Sequence, residues 1–197
     1  MTETAVIRVQ RDKRYLLAEV LAQAFMDEPA LSWMVPNQAD RQRTYTRFFY
    51  AIVSGSQRHG LALQTPDNQA ITLWRLPGRS APGLWETLCN LPRMLPMLGC
   101  AGERAKVMSR AVREHWPTMP FRYLQFAGVA PDAQGLGKGG VVIRAGLQLA
   151  EAAGEPVYLE TAKAKNVGLY RSLGFEVIDE WQIAETPLRF TSMLRGA

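Results

Sequence analysis

The chain has 197 residues, 47% of them hydrophobic and 21% charged, which suits a globular unit with a real core and excludes a disordered polyelectrolyte. Its net charge of +5 is spread along the sequence, with no basic run and no zinc-finger spacing. The sign therefore fits nucleic acid, an anionic membrane or a multiply charged small ligand, and selects none of them. Cys89 and Cys100 form no CxxC pair and read as reduced thiols of a cytoplasmic protein. The first residues lack the apolar core of a signal peptide, and the apolar stretch 84–98 is broken by Pro92 and Pro96, too short to span a membrane.

Taken in chain order, Val6 to Val9 alternates as a short strand. Asp12 is placed to cap a helix reaching Phe25, with Tyr15, Leu16, Val20, Leu21, Ala24 and Phe25 on one face. Pro29 and Pro36 bracket a loop containing Trp33, and a second helix spans Ala39 to Gln57. Leu61–Leu63 and Ile71–Trp74 form a hairpin across Thr65-Pro-Asp-Asn, followed by a Gly/Pro loop over Pro77–Pro82. From Leu84 to His115 the pattern is helical, with breaks at Pro92, Pro96 and Gly99–Gly102. Arg122–Val129 is a strand, and Lys138–Ala153 a helix stopped by Gly154. Val157–Thr161 is a strand, Asn166–Leu173 a short helix ending at Gly174, and Phe175–Trp181 and Leu188–Leu194 are closing strands. This order predicts one α/β unit with a mixed sheet.

The chemistry centres on Gln134-Gly-Leu-Gly-Lys-Gly139, between a strand and a helix. Glycines let backbone amides approach a phosphate, and the helix start adds unpaired N–H groups and a favourable dipole. Gly135-x-Gly137-x-x-Gly140 also matches the dinucleotide fingerprint, with Glu160 where a ribose ligand belongs. Against that reading, Ala130–Ala133 separates the turn from its strand, and little chain remains to complete a dinucleotide sheet. A Walker A turn fails because Gly139 follows Lys138 where Ser or Thr is required. A ligand-free glycine connection is the remaining reading.

The set Gln134-x-x-Gly137-x-Gly139, preceded by Gly128-Val129-x-Pro131 and followed by Tyr158-Leu-Glu160-Thr161 and Asn166-x-x-x-Tyr170-x-x-x-Gly174-Phe175, resembles the GNAT superfamily of acyltransferases. The segment Ala24-Phe25-Met-Asp27-Glu28-Pro29 with Trp33 and Pro36 is similar to puromycin N-acetyltransferase-like members. The resemblance implies a single domain over 1–197 with an α/β fold, its mixed, mostly antiparallel central sheet splayed at the cofactor site. Residues 81–120 would be a variable helical segment that shapes the acceptor pocket. Acetyl-CoA would be the co-substrate, supplying an acetyl or other short acyl group, with no metal, and a small primary amine the acceptor. Protein N-terminal or lysine acetylation, or a non-catalytic acyl-CoA sensor, are the alternatives. No nucleic-acid or membrane partner is implied, and a homodimer is compatible with the family.

By the same resemblance, the backbone of Ala127, Gly128 and Val129 would bind the pantetheine arm, with the Val129 amide as oxyanion donor. Gln134, Gly135, Leu136, Gly137, Lys138 and Gly139 would cradle the pyrophosphate. Asn166 would position the turn or the arm, and Lys138, Arg144 or Arg171 could meet phosphates. Tyr170 would protonate the leaving thiolate. The family's carboxylate position before the loop is Tyr123 here, so the base is open among Glu160, Asp27, Glu28 and His115, with Glu160 preferred. Trp33, Trp85, Met94, Met97 and Trp116 either line the acceptor pocket or pack the core.

Overall fold

Residues 6–80 and 102–196 are described by the structure, a computed structural model. The elements are β1 (Ile7–Arg8), α1 (Arg14–Ala24), α2 (Pro29–Met34), α3 (Gln38–His59), β2 (Gly60–Gln64), β3 (Ala70–Arg75), α4 (102–114), β4 (Arg122–Val129), α5 (Lys138–Ala152), β5 (Val157–Thr161), α6 (Val167–Ser172), β6 (Glu176–Gln182) and β7 (Arg189–Arg195). The sheet order is β1-β2-β3-β4-β5-β7-β6, antiparallel throughout except for the parallel pair β4–β5. This open, mixed seven-stranded sheet matches the expected fold class.

Two apolar clusters make a three-layer sandwich. On one face Leu17 and Leu21 of α1, Tyr45, Phe49 and Val53 of α3 and Met108 of α4 pack on Ile71 and Leu73. On the other, Val142, Ile143 and Leu147 of α5 pack on Leu63, Trp74, Leu124 and Leu159. Alternation along the strands divides the two sets, as a sheet covered on both faces requires. The approach of α5 to β3 depends on Gly146: a Cβ there would lie 2.1 Å from the Trp74 ring.

One irregularity in β4 matters for the site. Leu73 pairs with Phe126 but Trp74 pairs with Leu124, so Gln125 is the extra residue of a bulge. Leu124 and Phe126 consequently face opposite layers, although two residues apart on a regular strand would share one.

Three local expectations are corrected. Asp12 caps nothing: Arg11–Lys13 form a 3₁₀ turn without a side-chain cap, and α1 starts at Arg14. The buried face of α1 runs through Leu17, Ala18 and Leu21, leaving Tyr15 and Leu16 exposed. Pro29–Pro36 is no simple loop, because Pro29 occupies the first turn of α2 and the Glu28 carboxylate accepts from the Leu31 amide at 2.8 Å. A proline there forfeits no helical hydrogen bond. The remaining boundaries agree to within about two residues with the sequence-based reading. The predicted breaks at Pro92 and Pro96, and Trp85, Cys89, Met94, Met97 and Cys100, lie outside the described residues.

Candidate active site

β4 and β5 pair only at Arg122–Val157 and Tyr123–Tyr158. Beyond these, β4 continues for six residues with no strand partner on that side among the described residues, which leaves a gap in the ladder. The Ala130 amide donates to the Gln69 carbonyl on the β3 side. Strand alternation then turns the backbone groups of Gly128 toward β3 and those of Ala127 and Val129 toward the gap. The gap therefore has polar backbone on one wall.

The glycine turn stands at the wide end. Gly135 and Gly137 have φ of 81° and 76°, in the left-handed region that side chains with a Cβ disfavour. The amides of Gly135, Leu136 and Gly137 donate to no protein acceptor among the described residues. Val141 donates to the Gly137 carbonyl, so the first amides of α5, from Lys138 and Gly139 onward, lie at an uncapped helix start. This forms a concave nest of donors suited to an anion.

The turn is anchored on two sides. Gln134 Nε2 donates to the Val129 carbonyl at 3.3 Å. The Lys138 ammonium reaches Asp67 and Gln69 in the β2–β3 hairpin, and holds the Asp67 carboxyl down at about 2. Lys138 thus offers the nest its amide while its side chain ties down the hairpin. Arg144 is exposed, with its guanidinium beside Gly140, one turn nearer the helix start. Arg171 is also exposed.

Two titratable side chains border the gap from opposite faces of the sheet. Glu160 shares the α3 face with Tyr123 and Tyr158. The Tyr123 hydroxyl donates to Glu160 Oε1, whereas Oε2 is buried without a partner among the described residues. Burial raises the Glu160 carboxyl to about 7, against the hydrogen bonds from Tyr123 and Tyr158 that lower it. Tyr170, on α6, packs with the α5-side cluster, its ring 5.9 Å from that of Phe175. Burial, and then the negative charge of Glu160, push its hydroxyl up to about 12. At neutral pH Tyr170 is a proton donor and Glu160 a carboxyl poised between its two forms. Asn166 lies one turn before Tyr170, and its side chain makes no cap bond to α6.

The other candidate bases are engaged elsewhere. Asp27 is exposed and sits 3.8 Å from Arg41. Glu28 caps α2. His115 Nδ1 bonds the Ala111 carbonyl at 2.8 Å, and its ring stacks on Trp181 at 4.2 Å. Trp116 packs edge-on to Phe121 and Tyr123, both at 5.8 Å. Trp33 is half-buried beneath the Arg104 guanidinium.

Sequence reasoning gives Tyr123 no role beyond its not being a base, and assigns none to Tyr158 or Ser192. Tyr158 and Ser192 lie 2.9 Å apart, and Trp181 Nε1 donates to the same Ser192 oxygen at 2.9 Å. This chain fixes Tyr158 next to Glu160. Tyr123 was visible as a residue that cannot be a base, but its role as a donor to a carboxylate on another strand requires the β4–β5 register.

No family model matches the chain. A Schizosaccharomyces pombe protein described as an uncharacterized N-acetyltransferase is 26% identical over 190 residues, covering 87% of this chain and 74% of its own. Among solved structures, a Corynebacterium glutamicum protein described as histone acetyltransferase HPA2 and related acetyltransferase superposes with a TM-score of 0.75 at 18% identity, over 98% of this chain and 96% of that one. A Drosophila melanogaster polyamine N-acetyltransferase, described as forming N-acetylagmatine, superposes with a TM-score of 0.59 at 15% identity, over 98% and 99% of the two chains. The ordered motifs and the open, mixed sheet agree with these likenesses: the chain has the fold of the GNAT N-acetyltransferases and is similar in sequence to a protein described as an N-acetyltransferase.

Proposed function

We propose that the protein transfers the acetyl group of acetyl-CoA to the primary amine of a small molecule. The observation that carries this reading is the gap between β4 and β5, with Glu160 on one face, Tyr170 on the other and a donor nest at its open end. The pyrophosphate of acetyl-CoA would lie on the amides of Gly135 to Gly139, and its pantetheine arm along Ala127 and Val129, in place of the missing strand pairing. Acetyl-CoA supplies the thioester.

Glu160, as carboxylate, takes a proton from the acceptor ammonium. The free amine attacks the carbonyl carbon, forming the C–N bond. The Val129 amide faces the position where negative charge builds on the oxygen. As the C–S bond breaks, Tyr170 gives its proton to the sulfur, and the second proton lost by the nitrogen passes through solvent to restore the Tyr170 hydroxyl. Tyr123 holds Glu160 by one oxygen and leaves the other free for the proton. The small-molecule acceptor is supported by fold-level neighbours described as arylalkylamine, polyamine and agmatine N-acetyltransferases.

The test is thiol release from acetyl-CoA with a panel of arylalkylamines, diamines and agmatine, alongside peptides with free N-termini or lysines. Turnover with a small amine is expected. Tyr170→Phe should reduce it about 10²-fold while leaving acetyl-CoA affinity nearly unchanged. Turnover on peptides alone would move the acceptor to proteins. Absence of acetyl-CoA binding, read by thermal unfolding, would overturn the reading altogether.

A further inference from the structure

A second concave region lies at the other end of the sheet, on the β1 edge. It is a cleft of about 360 Å³ lined by Arg8, Arg11, Arg14 and Arg58, with Gln57 and Gly60 among its walls. Among the described residues no acidic side chain lines it. Among the described residues none of the four arginines is ion-paired with a carboxylate. They come from β1, the 3₁₀ turn before α1, the first residue of α1 and the last turn of α3. The fold, not a local basic run, has gathered them.

The wall is organised. Gln57 Oε1 accepts from Arg14 Nε, and Gln57 Nε2 donates to the Val9 carbonyl, so Arg14 is oriented, with its remaining donors unspent among the described residues. Arg11 and Arg14 stand at the amino end of α1, where a helix disfavours cations. Like charges gathered against a helix dipole in one cavity are relieved when an anion lies between them. Guanidinium forks pair with phosphate oxygens two at a time. Four of them exceed what a single carboxylate can neutralise.

We propose that this cleft binds a small ligand bearing two or more phosphate groups. It is separate from the glycine turn. Gly60 is level with Arg75, whereas Val129 is level with Ala70, two strands across from β2. By strand spacings that is on the order of 20 Å.

The experiment is calorimetric titration of inorganic tripolyphosphate into the full chain at physiological salt, with and without saturating acetyl-CoA. One site per chain is expected in both, with affinity reduced at least tenfold in the Arg8→Gln/Arg58→Gln variant. Both residues are exposed, so unchanged thermal unfolding of the variant confirms that it folds. Absence of binding, binding indifferent to the variant, or displacement by acetyl-CoA would each overturn the proposal. The last would place tripolyphosphate in the glycine turn. A failure of acetyl-CoA itself to bind leaves the comparison with the variant intact. A second arm uses vesicles containing phosphatidylinositol bisphosphate. Arginine-dependent capture there assigns the phosphates to a lipid headgroup, and its absence alongside tripolyphosphate binding assigns them to a free ligand.

Discussion

The two neighbours of β4 treat it very differently. Toward β3 it is paired from Tyr123 to Val129 with one bulge, while toward β5 it is paired at two positions and then left open. On the paired side the interior is apolar and dense, with Trp74 and Gly146 in near contact between sheet and helix. On the open side lie backbone groups without a strand partner, the Val129 carbonyl held by the Gln134 side chain, and a carboxyl whose second oxygen is buried without a partner among the described residues. A sheet ordinarily satisfies its backbone groups internally. Where it parts, polar groups remain that a ligand can satisfy, and burial of a carboxylate there costs stability.

Mutations should separate these two sides. The largest effect is expected from Glu160→Gln, which should lower kcat/KM by about 10²–10⁴-fold. In the parent enzyme the rate should climb with pH through about 7 as the carboxylate forms. An acidic limb that survives unchanged in the variant would remove Glu160 as the base.

The same variant should gain stability at pH 8. The Glu160 carboxyl rises from 4.5 to about 7 on folding, so between these values the folded chain holds more protons than the unfolded one and stability falls as pH rises. The glutamine should therefore add about 2–3 kcal/mol at pH 8, fading toward pH 4. Urea unfolding at the two pH values reads this, and an equal gain at both would contradict it.

On the paired side, Gly146→Ala should cost about 1–3 kcal/mol by overpacking against Trp74, with acetyl-CoA affinity unchanged. A joint loss of affinity would mean that the two sides are not separable. The smallest effect is expected from Gly137→Ala, near 1–2 kcal/mol for the left-handed backbone. This change should in addition weaken acetyl-CoA binding several-fold by calorimetry. Stability loss without weaker binding would detach the turn from the cofactor.

Parts of the molecule were legible in the residues alone because their causes are local. Arg122–Val129 and Val157–Thr161 coincide with β4 and β5. Gly154 and Gly174 take the positive φ that ends each helix. The glycine turn was identifiable because alternating glycines before an amphipathic helix carry their own backbone physics. Asp12 and the Pro29–Pro36 segment misled for a related reason: a capping residue or a proline states what is permitted, and the neighbouring packing selects among the permitted forms. The sequence by itself determined the strand and helix order, the anion nest and the presence of Tyr170 and Glu160. Only the tertiary structure decided that β4 and β5 part after two pairs, that Tyr123 holds Glu160, and that four separated arginines share one cleft. Each of these depends on register between distant segments, which is set by the burial of whole faces and not by any short stretch of residues.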